Sequence, residues 1–155
     1  MEQMPHVTGD SLVQMEDSTT EYIKNIQPGD ILYHGYKVKA VIKTIVEDTI
    51  PMVLFNTGLG ITPWNPVLEN GEWIYPFTLD HPIKTYVKEY YNLVLDRGHI
   101  MNVNGFYVAT LGHRFTDNGI IQPPYGKEMI IEELQKHPDW ATGYLTLDAT
   151  SKKKN

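Results

Sequence analysis

Between residues 36 and 47 apolar and polar side chains alternate. Val38, Ala40, Ile42 and Thr44 share one face, and Lys37, Lys39 and Lys43 share the other. A period of two is that of a half-buried strand. Shorter runs rich in Val, Ile, Thr, Tyr and Phe occur at 11–15, 20–24, 30–34, 51–56, 60–62, 72–74, 83–88, 91–95, 100–102 and 106–110. Each reads as a strand, since these side chains pack well on a pleated surface. A strand as long as 36–47 has to bend, so a bulge is expected near its middle.

The runs are separated by turn chemistry. Asn104-Gly105 lies between two apolar runs, and so does Asn70-Gly71. Both pairs tolerate the positive φ that a two-residue hairpin turn needs. One segment departs from the period of two. In 126–137, Met129, Ile130, Ile131 and Leu134 form a stripe at helical spacing, with Glu128, Glu132, Glu133, Gln135 and Lys136 outside it. His137-Pro138 ends this helix, because a residue before proline resists the α conformation. The pattern predicts a mainly β fold with long bent strands and one C-terminal helix over 126–137. At 155 residues there is room for one domain, set at 1–147 with a flexible tail at 148–155.

Composition narrows the function. Thirteen Lys+Arg against 19 Asp+Glu give a net charge of −6. This argues against a nucleic-acid partner bound by phosphate neutralisation. No apolar run is long enough to span a membrane. The chain has no cysteine, which excludes a disulfide framework, a thiolate metal site and a cysteine nucleophile, and leaves the redox compartment open. No motif calls for a cofactor.

Two segments carry candidate chemistry. Asp96-Arg97-Gly98-His99 sets a carboxylate beside an imidazole, which could serve as a general acid or base. Thr62-Pro63-Trp64-Asn65-Pro66 is a rigid corner able to present a hydroxyl and an amide. On pattern alone the favoured reading of the first is a surface turn with a satisfied histidine, and of the second a packed corner with Trp64 in the core. The six histidines show no helical metal-ligand spacing.

The blocks in order resemble the Hint (Hedgehog/intein) family. His6-Val7-Thr8-Gly9-Asp10-Ser11-Leu12-Val13 resembles its first block, Cys-x-x-Gly-Asp-Thr/Ser-x-Val. Ile23-Lys24-Asn25-Ile26-Gln27-Pro28-Gly29-Asp30-Ile31-Leu32 resembles the segment that follows it. Thr62-Pro63-Trp64-Asn65-Pro66 resembles the Thr-x-x-His-Pro block. Tyr91 to His99 resembles the late block with an Asp and a His. The stretch from Asn104-Gly105-Phe106 through Pro124-Tyr125-Gly126 to Pro138-Asp139-Trp140 is similar to Hint domains that accompany von Willebrand A domains.

The resemblance implies autoprocessing. In the family a Cys or Ser attacks the preceding carbonyl, converting an amide to a thioester or ester. The His of Thr-x-x-His protonates the leaving nitrogen, and the late Asp and His move protons. Carried over by position, the site is His6 (nucleophile position), Thr62, Asn65 (general-acid position), Asp96 and His99. His6 gives only a labile acyl adduct, and the Asn65 amide has no proton to supply near neutral pH. After His113 comes Arg114, where splicing would need an asparagine. The expectation is a Hint scaffold whose chemistry is lost or altered. Its partner is flanking polypeptide in cis, or a von Willebrand A domain of a longer protein. Two alternatives stand beside it. His6, Asp96 and His99 could form a slow self-cleaving or metal-binding site, or the domain could bind peptides through strand edges or the Trp64/Trp73 surface.

Overall fold

The computed structural model describes residues 6–80, 82–112 and 129–148. Among them the fold is mainly β, with eleven strands and one α-helix. The strands are β1 (Val7–Thr8), β2 (Leu12–Gln14), β3 (Thr20–Tyr22), β4 (Val38–Leu54), β5 (Gly60–Ile61), β6 (Val67–Glu69), β7 (Glu72–Ile74), β8 (Ile83–Leu95), β9 (Ile100–Val103), β10 (Phe106–Ala109) and β11 (Tyr144–Asp148). The helix α1 covers Met129–Gln135.

The first sheet is built on β4 and β8, which run antiparallel from Val38↔Leu95 to Leu54↔Ile83. β5 pairs with β4 at Val53↔Ile61, β1 pairs with β5 at Val7↔Ile61, and β1 pairs with β8 at Val7↔Tyr91. These four strands close into a ring, which leaves β1 with a neighbour on each side. β11 adds to the outside of β4 in parallel, from Tyr144↔Val41 to Asp148↔Ile45. The second sheet has the order β3-β2-β9-β10-β6-β7.

Both Asn-Gly hairpins form as the pattern predicts. Asn104 and Gly105 have φ of 49° and 86°, and Asn70 and Gly71 have φ of 52° and 81°, the geometry of a type I′ turn. Asn104 also ties the two sheets. Its Oδ1 accepts the Leu12 N–H at 2.8 Å, and its Nδ2 donates to the Thr57 carbonyl at 3.0 Å.

Several boundaries differ from the pattern. The expected strands 36–47 and 51–56 are one strand, β4, with register shifts at Val38/Ala40 and Ile45/Ile50. The second shift absorbs residues 46–49 and bends the strand. Pro51 is accommodated because β4 has only β8 as neighbour there, so no donor is required on its open side. Segments 83–88 and 91–95 are likewise a single strand, β8. Residues 30–34 make only isolated bridges, Met15↔Leu32 and Ile31↔Lys37. Two left-handed residues, His34 (φ 77°) and Gly35 (φ 82°), turn the chain so that the Leu32 N–H reaches the Tyr36 carbonyl. The pattern also missed β1, β6 and β11.

Of the predicted helix, 126–128 lie outside the described residues, and α1 ends before His137-Pro138. Ile130 and Leu134 pack it on Ala40, Ile42, Val94, Leu111 and Leu145. The main core lies between the sheets around Val7, Val13, Leu59, Ile61, Leu93 and Val108. Asp148 is the last residue of β11, and the rest of the expected tail lies outside the described residues.

Candidate functional site

β1 carries His6 into the ring of strands. The backbone at this point continues the β1–β5 ladder by one step. The Thr62 N–H donates to the His6 carbonyl at 2.9 Å, and the His6 N–H donates to Thr62 Oγ1 at 3.0 Å. The nitrogen of the Pro5–His6 peptide bond is therefore held by the hydroxyl of the Thr-Pro-Trp-Asn corner. Sequence reasoning paired these two positions from blocks 56 residues apart.

The imidazole points inward. His6 is fully buried, with Nε2 3.1 Å from Thr44 Oγ1 and its ring 4.6 Å from that of Tyr90 at a tilt of 51°. Thr44 and Tyr90 face each other across β4 and β8. The side chain thus rests on the most continuous pairing of the molecule, held by a hydroxyl and an aromatic ring.

Asn65 is fully buried as well. The corner closes with the Asn65 N–H on the Thr62 carbonyl at 3.2 Å. Its Nδ2 donates to the carbonyls of Ala109 at 3.0 Å and Pro66 at 3.1 Å. Its Oδ1 accepts from Asn92 Nδ2 at 3.4 Å, and Asn92 Oδ1 accepts the Leu93 N–H at 2.7 Å. The amide thus joins the corner, the end of β10 and the middle of β8.

Asp96 and His99 lie to one side. Asp96 is exposed and clasps Lys37, its Oδ1 accepting the Lys37 N–H at 3.0 Å and its N–H donating to the Lys37 carbonyl at 2.9 Å. That clasp closes the end of the β4–β8 ladder. Half-buried His99 shares with Asp96 a cavity of about 260 Å³, lined also by Lys39, Arg97, Leu111 and Ile131. His6, Thr62 and Asn65 do not line it. The structure links His6, Thr62 and Asn65 by hydrogen bonds in one place, and Asp96 and His99 share the lining of the cavity. The two places meet at consecutive residues, since Asn65 holds the Ala109 carbonyl and the Thr110 N–H donates to the His99 carbonyl at 2.9 Å. The buried Thr110 hydroxyl there has no hydrogen-bond partner among the described residues. No cluster of three metal-ligating side chains occurs among the described residues, so the set His6, Asp96 and His99 is not assembled as metal ligands.

Sequence reasoning missed Thr44, Tyr90 and Asn92. Asn92 was the findable one, as the only amide in the buried run 90–95. Trp64 is not core: it is 39% exposed and its ring meets that of Phe77, itself 47% exposed, at 4.8 Å.

The profile of the Vint family, described as a Hint domain, matches residues 5–155. The chain belongs to this family. Among solved structures, this Hint domain is similar to the DnaB intein from Synechocystis sp. PCC 6803, at 16% identity and a TM-score of 0.54. That match covers 68% of this chain and 98% of the intein. The gp41-1 intein matches at 14% identity and a TM-score of 0.50, with the same two coverages. Identities this low establish a shared fold. No curated protein matches this Hint domain. The fold is that of self-processing domains, and the site lies where the chain enters it.

Proposed function

We propose that this Hint domain no longer carries out the amide-to-ester shift at the Pro5–His6 bond and is kept as a folded unit of a longer polypeptide, one that includes a von Willebrand A domain. The observation that carries this reading is that the side chains at both altered positions are fully employed in holding the fold. The shift needs a nucleophile aimed at the preceding carbonyl, a proton for the leaving nitrogen and donors for the oxyanion. The His6 imidazole is packed on Tyr90 and hydrogen-bonded to Thr44. Both amide hydrogens of Asn65 go to backbone carbonyls. Thr62, whose family role is to position a proton donor, here accepts a hydrogen bond from the His6 nitrogen. The scaffold that holds the bond remains, and the groups that would break it have become struts.

The test is a precursor with a reporter protein joined upstream of Pro5. At neutral pH, with and without hydroxylamine, the reporter is expected to stay attached. Free reporter from the parent sequence, absent when His99→Ala is introduced, would overturn the proposal.

A further inference from the structure

Strand β8 is paired along its whole length on one side only. β4 accompanies it from Leu95 to Ile83. On the other side β1 reaches Tyr91 and Tyr90 and then turns away, with the Ser11 N–H closing on the Thr8 carbonyl. No other strand among the described residues covers 83–88 on that side. Backbone donors and acceptors directed away from β4 are a template for one more strand.

Three further observations fall on this stretch. A cavity of about 410 Å³ runs along it, lined by Thr85, Val87 and Lys88, by Gly9 and Asp10 where β1 departs, and by Lys24. Ile83 and Tyr86 are the most exposed large apolar side chains of the described residues, at 68% and 61%. Lys24, Lys84 and Lys88 gather positive charge at this edge of a chain whose net charge is −6. Two acids, Asp10 and Glu89, also line the cavity. Glu89 accepts the Tyr91 hydroxyl at 2.9 Å and has a further lysine, Lys43, at 3.9 Å, so lysines outnumber carboxylates along this edge.

We infer that this edge of β8 binds an extended peptide of alternating acidic and apolar residues, which continues the ladder where β1 stops. Main-chain hydrogen bonds to 83–88 supply affinity, and alternate side chains are read by the flanking surfaces. One face of the peptide lies over Leu54, Thr85 and Val87, and its carboxylates meet the three lysines. The same lysines repel a second copy of this edge, which disfavours self-pairing as the occupant. The inference is independent of what happens at His6.

The experiment uses the chain as it stands and a fluorescein-labelled octapeptide of alternating valine and glutamate. Anisotropy is expected to show saturable binding, about tenfold weaker when lysine replaces glutamate or when alternate peptide amides are N-methylated. Backbone amides of 83–88 gain protection from hydrogen exchange in the complex. The exposed charge reversal Lys84→Glu/Lys88→Glu reverses the preference between the acidic and basic peptides. Three outcomes would each overturn the inference: no binding of the acidic peptide below millimolar concentration, protection confined to another surface such as Trp64 and Phe77, or an unchanged charge preference in the reversed variant.

Discussion

If Asn65 is a strut and not a proton donor, its replacement should be felt in stability. Its Nδ2 supplies the Ala109 carbonyl, which faces away from β9, and shares the Pro66 carbonyl with the Ala109 N–H. Asn65→Ala removes both donations and the contact with Asn92. The Pro66 carbonyl keeps the Ala109 N–H, so the main penalty is one orphaned carbonyl in the interior, with the lost side-chain packing added to it. An unsatisfied buried acceptor costs about 1–3 kcal/mol, and with the packing loss we expect about 2–4 kcal/mol. For a chain of this size each kcal/mol lowers Tm by about 2–4 °C, so the midpoint should fall by about 4–16 °C.

Asn65→Asp sharpens the test because its shape is unchanged. An ionised carboxylate would confront the two carbonyls that Nδ2 now serves, so the introduced acid is held protonated in the folded state and its pKa raised. The sign follows directly. Stability is retained below the ordinary carboxylate pKa of about 4 and lost as pH rises through the raised value. At neutral pH Asn65→Asp should therefore be less stable than Asn65→Ala. Urea denaturation followed by tryptophan fluorescence at several pH values measures both, with exposed Asn25→Ala as a control. An Asn65→Ala variant within about 0.5 kcal/mol of the parent, the range of an ordinary surface change, would show that Asn65 is not a strut.

Three further predictions follow from other parts of the molecule. In the reporter precursor, the double change His6→Cys/Asn65→His should release reporter on addition of a thiol, as read on denaturing gels, whereas either change alone should release much less. Gly143→Ala places a methyl group 2.6 Å from Pro28 Cγ and 3.1 Å from the Lys39 carbonyl, at a φ of 77°; left-handed strain and this clash should cost at least about 2 kcal/mol in urea denaturation. Burial, and then the hydrogen bond to Glu89, raise the Tyr91 pKa, so its neutral form belongs to the folded state; stability should be full below about pH 10 and decline above it, and Tyr91→Phe should flatten that decline in an alkaline denaturation series.

The local features were the legible ones. Two Asn-Gly turns, the helical stripe on Ile130 and Leu134, and the alternation from Val38 to Thr44 depend on residues close in sequence, and all appear in the fold. What escaped the pattern depends on distant partners. β1 is two residues long and exists because β5 and β8 provide ladders on either side. β11 is a short Tyr-Leu-Thr-Leu-Asp run at the end of the described residues and forms by joining β4 in parallel. The site shows the same division. Motif spacing put His6, Thr62 and Asn65 in one set, and in the fold the β1 ladder and the corner link them by hydrogen bonds. It did not show the clasp of Asp96 on Lys37, which is made across a strand end. Thr44 and Tyr90 were hidden for the same reason, as they become neighbours only through the register of β4 and β8.

The seating of β1 has a consequence for the order of events during synthesis. Val7 needs Ile61 on one side and Tyr91 on the other, so the first strand of the domain waits until most of the chain has left the ribosome. Any polypeptide ahead of His6 emerges earlier and has the time to acquire its own structure before the entry point is captured. Assembly limited by such remote pairings belongs to the slow, millisecond-to-second class. The entry strand is therefore captured only after residues 61 and 91, its two neighbours, have been made.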